Sequence, residues 1–511
     1  MTPSASPLFE PVLWDESGFK ILDESSLPER IEYIKVSDLH SALSAVKEMK
    51  TRAFGQVLTF LYSGALLAQR YRGNDALTLR EQIALMTEQF CTARPTFDFK
   101  GLGDFFTPWF STLPAGANVG EWIAGQARGF AGQILKARTE RAKRTAAILP
   151  DAARVLTHCN ISGELVAVAQ FCRHLNKPFS VTATETRPYL QGRLTAWELS
   201  QAGVPVSVIP DGAVAQVMAR GEVNAVVVGS DRCAQNGDIV NKVGTYPVAL
   251  TAKRYGIPFY ALVQPVGSLA RGEDLAIEER PADELLYFCG RPLLAEGTGR
   301  VAVRYPAFDV TPAALVTNLI AFEGVFTPES FRQKFFTGSP ASSRRRDEQE
   351  KKYLLVHGVP ADEGYRYLAA AVPGKEVESI LVPEMRPELW GARVIVPELA
   401  RRKVPVTLIS DNMMGTLFAQ DQIRKLLLFH TALTADGPSA YCGGLLAAQL
   451  ASAHGITIDL RQSCSSTAPV PDRDVATFLG AKVVPAGVSI YPLEKEVIPW
   501  ELCRPCKSTS S

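Results

Sequence analysis

The sequence predicts an α/β protein with a mainly helical N-terminal domain followed by two parallel-sheet domains. From Asp151 onward, short runs rich in β-branched residues alternate with amphipathic stretches, which is the pattern of βαβ units. Before that point, apolar residues recur at helical spacing instead. After a polar, linker-like stretch at 337–352, the alternating pattern returns in a related sequence. We therefore divide the chain into 1–150, 151–336, the linker, and 353–505.

Composition argues against several classes of function. The 511 residues include 54 Lys and Arg and 53 Asp and Glu, so charge gives no reason to expect nucleic acid or an acidic membrane as a partner. The nine irregularly spaced cysteines indicate a reducing compartment, and one C-terminal pair, Cys503 and Cys506, is too little to indicate a metal or redox site. We see no signal peptide or membrane span, and we expect a cytoplasmic protein without cofactor or metal.

The first 125 residues predict helices after a short irregular or hairpin start. The segments HSALSAVKEMKTRAFGQVLTFLYSGALLAQRY and TLREQIALMTEQF carry apolar residues at helical spacing. Two glycines, Gly101 and Gly103, and two prolines, Pro108 and Pro114, then break the pattern. The segment Glu121–Leu149 predicts one long helix that connects this domain to the next.

Five β-rich runs predict the strands of one parallel sheet: ARVLTH, PFSVTAT, VPVSVIP, NAVVVGS and IPFYALV. In an open α/β sheet, ligands bind in the crevice at the carboxyl ends of the strands. Polar or reactive residues follow every run, so we expect them to meet at one rim. In order along the chain they are Cys159 and Asn160, then Glu185, Arg187 and Gln191, then Asp211, Asp231 and Gln264.

The stretch Val226–Thr245 is the densest of these clusters. After its buried strand it places Asp231, Asn236, Asp238 and an adjacent Asn-Lys pair within a few positions. Asn-Gly and Gly-Asp pairs are also common in ordinary surface turns, which is the alternative interpretation. We expect Asp238 to organise the loop and Asp231 to belong to the site.

The region after the linker repeats the region before it. ETRPYLQGRLTAWELSQAGVPVSVIPDG, which begins at Glu185, matches EMRPELWGARVIVPELARRKVPVTLISDN, which begins at Glu384. The aspartates that close the match, Asp211 and Asp411, are 200 positions apart. Agreement of this length indicates an internal duplication. Because Glu185, Arg187 and Asp211 recur in the second copy, we expect Asp211 to be structural, and Glu185 with Arg187 to be a possible structural ion pair.

The second copy has lost the polar site. Gly358 stands where the first copy has Cys159, and Trp390 stands in place of Gln191. Asp436 aligns with Asp231, but no Asn-Lys pair follows it. We expect this degenerate copy to act as a covalently attached partner for the first sheet, in place of the second subunit of a symmetric dimer, and further self-association stays open.

Four motifs resemble the methylthioribose-1-phosphate isomerase family. They are THCN at 157–160, ETRPYLQGRLTAWEL at 185–199, GSDRCAQNGDIVNKVGTY at 229–246 and YPAFDVTP at 305–312. The resemblance covers about residues 10–331, and the motifs stand in the family's order. The superfamily also includes ribose-1,5-bisphosphate isomerase and the regulatory subunits of initiation factor 2B. The second half resembles only the family's C-terminal Rossmann-like domain.

The resemblance implies a helical domain, a Rossmann-like domain through which subunits dimerise, and the isomerisation of an aldose to a ketose on a pentose 1-phosphate in methionine salvage. It places the catalytic residues at Cys159 and Asp231. The regulatory subunits lack the catalytic cysteine, whereas this chain keeps it. The substrate-binding positions fall on Arg52, Arg94, Gln191, Asn241 and Lys242.

These residue types suit the reaction. Isomerising an aldose moves a proton between adjacent carbons, so one group must accept it and another must return it. Phosphate on the anomeric oxygen prevents ordinary ring opening, so an acid must protonate the ring oxygen; Asp231 is the candidate for this step and Cys159 for proton transfer at carbon 2. A hydride shift between the carbons is the alternative. The cationic side chains would bind phosphate and the two amides would hold sugar hydroxyls.

Three departures from the family leave the substrate open. The phosphate loop usually reads Arg-Gly-Ala-Pro, but here Ala53, Phe54 and Gly55 follow the arginine, and Phe54 adds bulk where backbone amides approach an anion. Ile161-Ser162 follows THCN, and one residue is missing after Gly192. The alternatives are an isomerase of another pentose phosphate, such as ribose 1,5-bisphosphate, or a non-catalytic regulatory or sugar-phosphate-binding protein of the superfamily.

Overall fold

The computed structural model describes residues 6–15, 17–95, 97–337, 352–372, 377–463, 474–492 and 495–503. The predicted linker lies outside these ranges except for its two end residues, and so does Cys506. Among the helices in the described ranges, none combines the length and the apolar character that crossing a membrane requires.

The N-terminal part joins a small antiparallel sheet to six helices. Of the two predicted forms of the start, irregular or hairpin, the hairpin is present, with a third strand, in the order β1 (Val12–Asp15), β2 (Gly18–Leu22) and β3 (Tyr33–Val36). The helices are α1 (Leu39–Lys47), α2 (Ala53–Arg70), α3 (Ala76–Ala93), α4 (Phe99–Asp104), α5 (Phe106–Ser111) and α6 (Val119–Ile148). The long connecting helix is confirmed. Gly101 and Gly103, which we expected to break the helical pattern, lie inside α4, where Asp98 caps the helix by accepting the Gly101 N–H.

All five predicted β-runs of the next part form strands. Its strands are β4 (Ala153–Thr157), β5 (Phe179–Thr184), β6 (Val206–Ile209), β7 (Ala225–Gly229), β8 (Arg232–Cys233), β9 (Ile239–Lys242), β10 (Phe259–Leu262), β11 (Tyr287–Phe288), β12 (Arg291–Pro292), β13 (Ala302–Val303), β14 (Phe308–Thr311), β15 (Asn318–Ile320) and β16 (Val325–Phe326). Its helices are α7 (Glu164–His174), α8 (Gly192–Gln201), α9 (Val214–Ala219), α10 (Thr245–Arg254), α11 (Asp283–Leu286) and α12 (Pro328–Phe335).

The second half repeats this alternation. Its strands are β17 (Tyr353–His357), β18 (Ser379–Pro383), β19 (Val406–Ile409), β20 (Ile423–His430), β21 (Ala432–Leu433), β22 (Pro438–Ala440), β23 (Ile458–Gln462), β24 (Thr477–Phe478), β25 (Ala481–Lys482), β26 (Ser489–Ile490) and β27 (Glu496–Val497). Its helices are α13 (Asp362–Ala371), α14 (Val396–Arg401), α15 (Met414–Ala419), α16 (Gly444–Ala453) and α17 (Trp500–Cys503).

The two sheets have the same strand order and exchange an edge strand. Parallel strands run β10-β7-β4-β5-β6 in the first sheet and β23-β20-β17-β18-β19 in the second. Strand β26 of the second half pairs with β6, and β13 of the first half pairs with β19. Each half therefore completes the sheet of the other, so the predicted α/β architecture with two Rossmann-like sheets is confirmed.

Two buried ion pairs cross between the halves. Arg187 donates to Glu384 at 2.8 and 2.9 Å, and Arg386 donates to Glu185 at 3.0 to 3.2 Å. The expected ion pair between Glu185 and Arg187 is therefore wrong: both residues form ion pairs, but each arginine pairs with the glutamate of the other copy. The ring of Phe478 lies between them, 4.2 Å from the Arg187 guanidinium and 4.8 Å from that of Arg386.

The alignment of Asp436 with Asp231 is also wrong. The Asp231 N–H donates to the carbonyl of Val240, and the N–H of Thr431 makes the matching bond to Ser439. Asp231 lies between β7 and β8, and Thr431 lies between β20 and β21. Thr431 is thus the positional counterpart of Asp231, and the second half has no carboxylate there.

Candidate active site

Cys159 lies in the turn that follows β4, held by residues from the turn after β5. Its φ of 67° is left-handed, a backbone conformation that is uncommon for a residue with a side chain. Its N–H donates to the Thr186 hydroxyl at 2.9 Å, and its thiol donates to Gln191 Oε1 at 3.0 Å. Burial, together with the nearby charge of Asp231, raises the pKa of the thiol to about 11, so the free protein holds Cys159 protonated at neutral pH.

Asp231 lies two residues after the end of β7, which is the neighbour of β4 in the same sheet. Its surface is open to solvent, but protein surrounds the carboxyl closely enough that desolvation raises its pKa to about 6. Lys242 and Arg94 act against that rise. A carboxyl with this pKa can both give and take a proton near neutrality.

Lys242 brings a buried cation to the pair. The end of β9 carries it, and its Nζ donates to the Tyr305 hydroxyl at 2.9 Å. The ammonium also lies 4.9 Å from the centre of the Tyr305 ring and 5.1 Å from that of Tyr189. Burial lowers its pKa to about 8, and the negative charge of Asp231 opposes that change.

Two arginines of the helical domain complete the cationic side. Arg52 is the N-cap residue directly before α2; its backbone N–H donates to Glu24 at 2.8 Å, and its charge lowers the pKa of Cys159. Arg94 follows α3 and donates to the sulfur of Met49. Its charge lowers the pKa of Asp231. The helical domain therefore closes the cleft with positive charge.

Asn241 differs from the other predicted site residues. Its amide donates to the Thr245 hydroxyl at 2.9 Å, in the first turn of α10. Adjacent residues of a strand point to opposite faces, so Asn241 faces away from Lys242. The structure thus unites Cys159 and Asp231 with Arg52, Arg94, Gln191 and Lys242, while sugar binding by Asn241 stays a prediction.

Sequence reasoning missed several residues around the cleft. Arg280 donates to Glu278 at 2.7 Å, to Glu284 at 3.0 Å and to the Tyr189 hydroxyl at 3.3 Å. This segment adjoins Arg94, because the charges of Glu278 and Arg280 both act on it. Tyr189 and Tyr305 stand inside quoted motifs and could have been noticed, whereas Arg280 lies in a stretch without a motif.

Phe54, the bulky residue of the altered phosphate loop, has a packing role. Its ring is 9% exposed and lies 3.8 Å from the guanidinium carbon of Arg138 on α6. Arg138 in turn donates to the carbonyl of Ser162, three residues after Cys159, at 2.7 Å. The ring therefore helps join the helical domain to the turn that carries the cysteine.

Two structural roles predicted from the sequence are confirmed. Asp211 accepts the N–H groups of Thr186 and Arg187, both at 2.8 Å, and so fixes the turn after β5. Asp238 accepts from the Asn236 side chain and from the backbone of Gly272 and Ala313. It organises its loop, as expected.

In the second half, other residues occupy the positions of the site. Gly358 replaces Cys159, Trp390 replaces Gln191 and Thr431 replaces Asp231. Tyr441 stands where the first half has Lys242. Each lies two residues before the left-handed glycine that caps the next helix, Gly443 in the second half and Gly244 in the first. The rings of Trp390 and Tyr441 lie 5.9 Å apart. Within the described ranges this half keeps the sheet but has no cysteine or aspartate at the positions of Cys159 and Asp231.

The sequence profile of the Initiation factor 2 subunit family matches residues 57–328 and 348–458. The chain belongs to this family. Both halves contribute to the match, which agrees with their common strand order.

Several relatives in the family are enzymes by name. The methylthioribose-1-phosphate isomerase of Desulforamulus reducens is 34% identical over 334 residues, which is 62% of this chain and 95% of that protein. The protein of the same name from Thermotoga neapolitana is 35% identical over 338 residues, covering 62% and 94%. This similarity spans nearly the whole of each relative.

Solved structures show the same relationship. The 5-methylthioribose 1-phosphate isomerase of Pyrococcus horikoshii is 29% identical with a TM-score of 0.57, covering 63% of this chain and 93% of that one. The translation initiation factor eIF-2B delta subunit from A. fulgidus is 31% identical with a TM-score of 0.54, covering 62% and 96%. The fold is therefore shared by both branches of the family.

Proposed function

We propose that this family member is an aldose–ketose isomerase that converts methylthioribose 1-phosphate, or a close 5-modified pentose 1-phosphate, into the corresponding ribulose 1-phosphate. The observation that carries the proposal is the thiol of Cys159 and the carboxyl of Asp231 in one cleft with three cations, Arg52, Arg94 and Lys242. The relatives named as isomerases support the reaction class.

The pKa values suit an acid–base pair. Asp231, with a pKa near 6, keeps about a tenth of its carboxyl protonated at pH 7 and can protonate the ring oxygen. That step breaks the bond between carbon 1 and the ring oxygen. Cys159 begins as a thiol and passes its proton to the Asp231 carboxylate that ring opening leaves. The thiolate, stabilised by Lys242 and Arg52, then takes the proton of carbon 2. The thiol returns that proton to carbon 1, and the thiolate takes the proton of the carbon 2 hydroxyl as the ketone forms, so that Cys159 and Asp231 both regain their starting states.

The binding roles follow from charge and geometry. Arginine offers a planar fork that suits phosphate oxygens, and lysine offers a point charge. The side-chain oxygen of Gln191 accepts from the thiol and so holds the sulfur in place. The NH₂ group of the same amide is a donor and can bond to a sugar hydroxyl. Phe54 does not argue against phosphate binding, because its ring packs on Arg138.

The test is an assay of the purified protein with methylthioribose 1-phosphate beside Cys159→Ser and Asp231→Asn. We expect each substitution to lower kcat by at least ~10²-fold, because each removes a group that moves a proton. Cys233→Ser, at a buried cysteine near Asp238, is the matched control and should keep activity. Activity that survives both site substitutions would refute the assignment.

The same assay in D₂O separates the two routes of hydrogen transfer. Transfer through Cys159 passes through an exchangeable group, so deuterium should enter at carbon 1 of the product. A hydride shift would carry the original hydrogen across and leave carbon 1 unlabelled.

A sugar-phosphate-binding protein without catalysis is the second candidate. The similarity to an initiation factor subunit at 31% identity favours it. Binding of methylthioribose 1-phosphate without turnover by the parent protein would support this candidate over the isomerase.

A further inference from the structure

We propose that the second half of the chain supplies Asn412 as a positioning residue for the catalytic site of the first half. The proposal rests on the isomerase function given above. Asn412 is 2% exposed and lies in the turn after β19. Its amide nitrogen donates to two carbonyls of the first half, that of Arg187 at 2.9 Å and that of Val243 at 3.1 Å.

These two carbonyls belong to the two segments that carry the ligand-facing side chains. Val243 directly follows Lys242, and Arg187 stands four residues before Gln191, which holds the thiol. One amide therefore fixes the lysine segment relative to the glutamine turn. The amide is itself oriented, because the Ser410 hydroxyl donates to Asn412 Oδ1 at 2.6 Å.

A chain of hydrogen bonds links the same point to Cys159. The Val243 carbonyl also accepts from His158 Nε2 at 2.8 Å, which leaves Nδ1 to accept from the Thr184 hydroxyl at 2.7 Å. The Thr184 and Thr186 hydroxyls are 3.1 Å apart, and Thr186 accepts the N–H of Cys159. Movement at Val243 would thus reach the catalytic turn through groups that are all buried.

The support is one-sided. Gly212 occupies the place of Asn412 in the first half, after Asp211 as Asn412 follows Asp411. A Cβ atom on Gly212 would lie 3.0 Å from the Cα of Gly443, so a side chain there would press against that backbone. The hydroxyl of Thr184 is also missing from the second half, where Pro383 ends the matching strand. The second half thus gives this side-chain contact to the first half, and Gly212 has no side chain with which to return it.

The test compares Asn412→Asp and Asn412→Ser with the parent and with Asn224→Ala. Aspartate keeps the shape of the asparagine side chain but places a carboxylate oxygen, an acceptor, against the two carbonyls. Serine is smaller but keeps a group that can donate a hydrogen bond. Asn224 is the control because its side chain also bonds to the backbone of another segment, at Arg154 N and Ala152 O, both at 2.8 Å, but at the opposite end of the sheet.

We expect kcat to fall roughly ten- to a hundredfold in Asn412→Asp and less in Asn412→Ser, with KM changed under about threefold. Asn224→Ala should keep kcat while losing a similar amount of thermal stability. Unchanged kcat in Asn412→Asp, or an equal loss of kcat in both Asn412→Asp and Asn224→Ala, would overturn the proposal.

A second measurement does not depend on the substrate. The rate at which iodoacetamide alkylates the Cys159 peptide, followed by mass spectrometry, should rise at least threefold in the folded Asn412 variants if the turn is loosened. If the parent shows no turnover but the alkylation rate rises, the isomerase proposal fails and the positioning role stands. If the alkylation rate is unchanged, the positioning role fails whatever the activity.

Discussion

The most informative single residue is Lys242, because its charge depends on pH in the working range. Burial lowers its pKa to about 8, so the cation is present below that pH and is lost as the pH rises through it. A lysine that has lost its charge binds phosphate weakly. We therefore expect KM for the sugar phosphate to rise about tenfold per pH unit above 8.

The variant Lys242→Arg isolates this effect. A guanidinium stays charged throughout the range, so its KM should be flat up to about pH 10, even if the longer side chain raises KM at every pH. Steady-state kinetics of both proteins between pH 6.5 and 10 make the comparison. A parallel rise of KM in the two proteins would show that another group is responsible.

Among the elements, the contact between α2 and α6 helps join the helical domain to the turn that carries Cys159. Replacing Phe54 by Ala removes a ring that is 9% exposed and packs on Arg138. Truncating a buried phenylalanine costs about 3–5 kcal/mol in the free energy of unfolding, and we expect a loss near the lower end of that range. Urea unfolding measures it.

Leu77→Ala on α3 is the control for that loss. Its side chain is 63% exposed, so its truncation should change stability by about 0.5 kcal/mol or less. If Phe54→Ala were as mild as Leu77→Ala, the ring would not join the two domains in the way its contacts suggest.

The strands were predictable from the sequence because their signal is local. Each of the five β-runs shows buried β-branched residues between turn residues, and each forms a strand. The left-handed turns that shape the site carry no such signal, since Cys159, Thr186 and Leu190 adopt positive φ without being glycine. Tertiary hydrogen bonds, such as that from Cys159 N to Thr186, hold those turns.

Partners across the halves were harder to predict. The repeat identified the right charged residues, but pairwise sequence comparison cannot tell Arg187–Glu185 from Arg187–Glu384, because both copies carry both residue types. The counterpart of Asp231 was misplaced for a related reason: loop lengths differ, and the backbone bond from Thr431 to Ser439, with the position of Thr431 between β20 and β21, identifies the equivalent residue.

At the scale of the whole molecule, we propose that the second half takes the place of a second subunit. Strands β13 and β26 are exchanged as they would be across a two-fold axis, and Arg187–Glu384 and Arg386–Glu185 repeat one contact in both directions. Covalent attachment makes this interface independent of protein concentration. It also allows one half to lose its catalytic residues while it keeps the surface that the other half needs.

The crossed ion pairs offer a test of that interface. Glu185 is 3% exposed, and desolvation raises its pKa to about 7 even with Arg386 beside it. Arg386→Met leaves this carboxylate buried without its partner, which costs about 3–5 kcal/mol of unfolding free energy when the carboxylate is charged. The double variant Glu185→Leu with Arg386→Met removes the charge and should recover most of the loss.

The loss should depend on pH in a defined direction. Without Arg386, the pKa of Glu185 in the folded protein rises further above its unfolded value, so the unfolded state releases the proton first and stability falls as the pH rises. Parent and variant both hold Glu185 protonated below about pH 6, so their difference in unfolding free energy should be small there and grow above pH 7.

Urea unfolding at pH 6 and pH 9 measures this difference. Arg366→Met, in a pair whose side chains are 74% and 59% exposed, is the control and should change stability little at either pH. A penalty that is the same at both pH values would mean that lost packing, not the unpaired carboxylate, destabilises the joined halves.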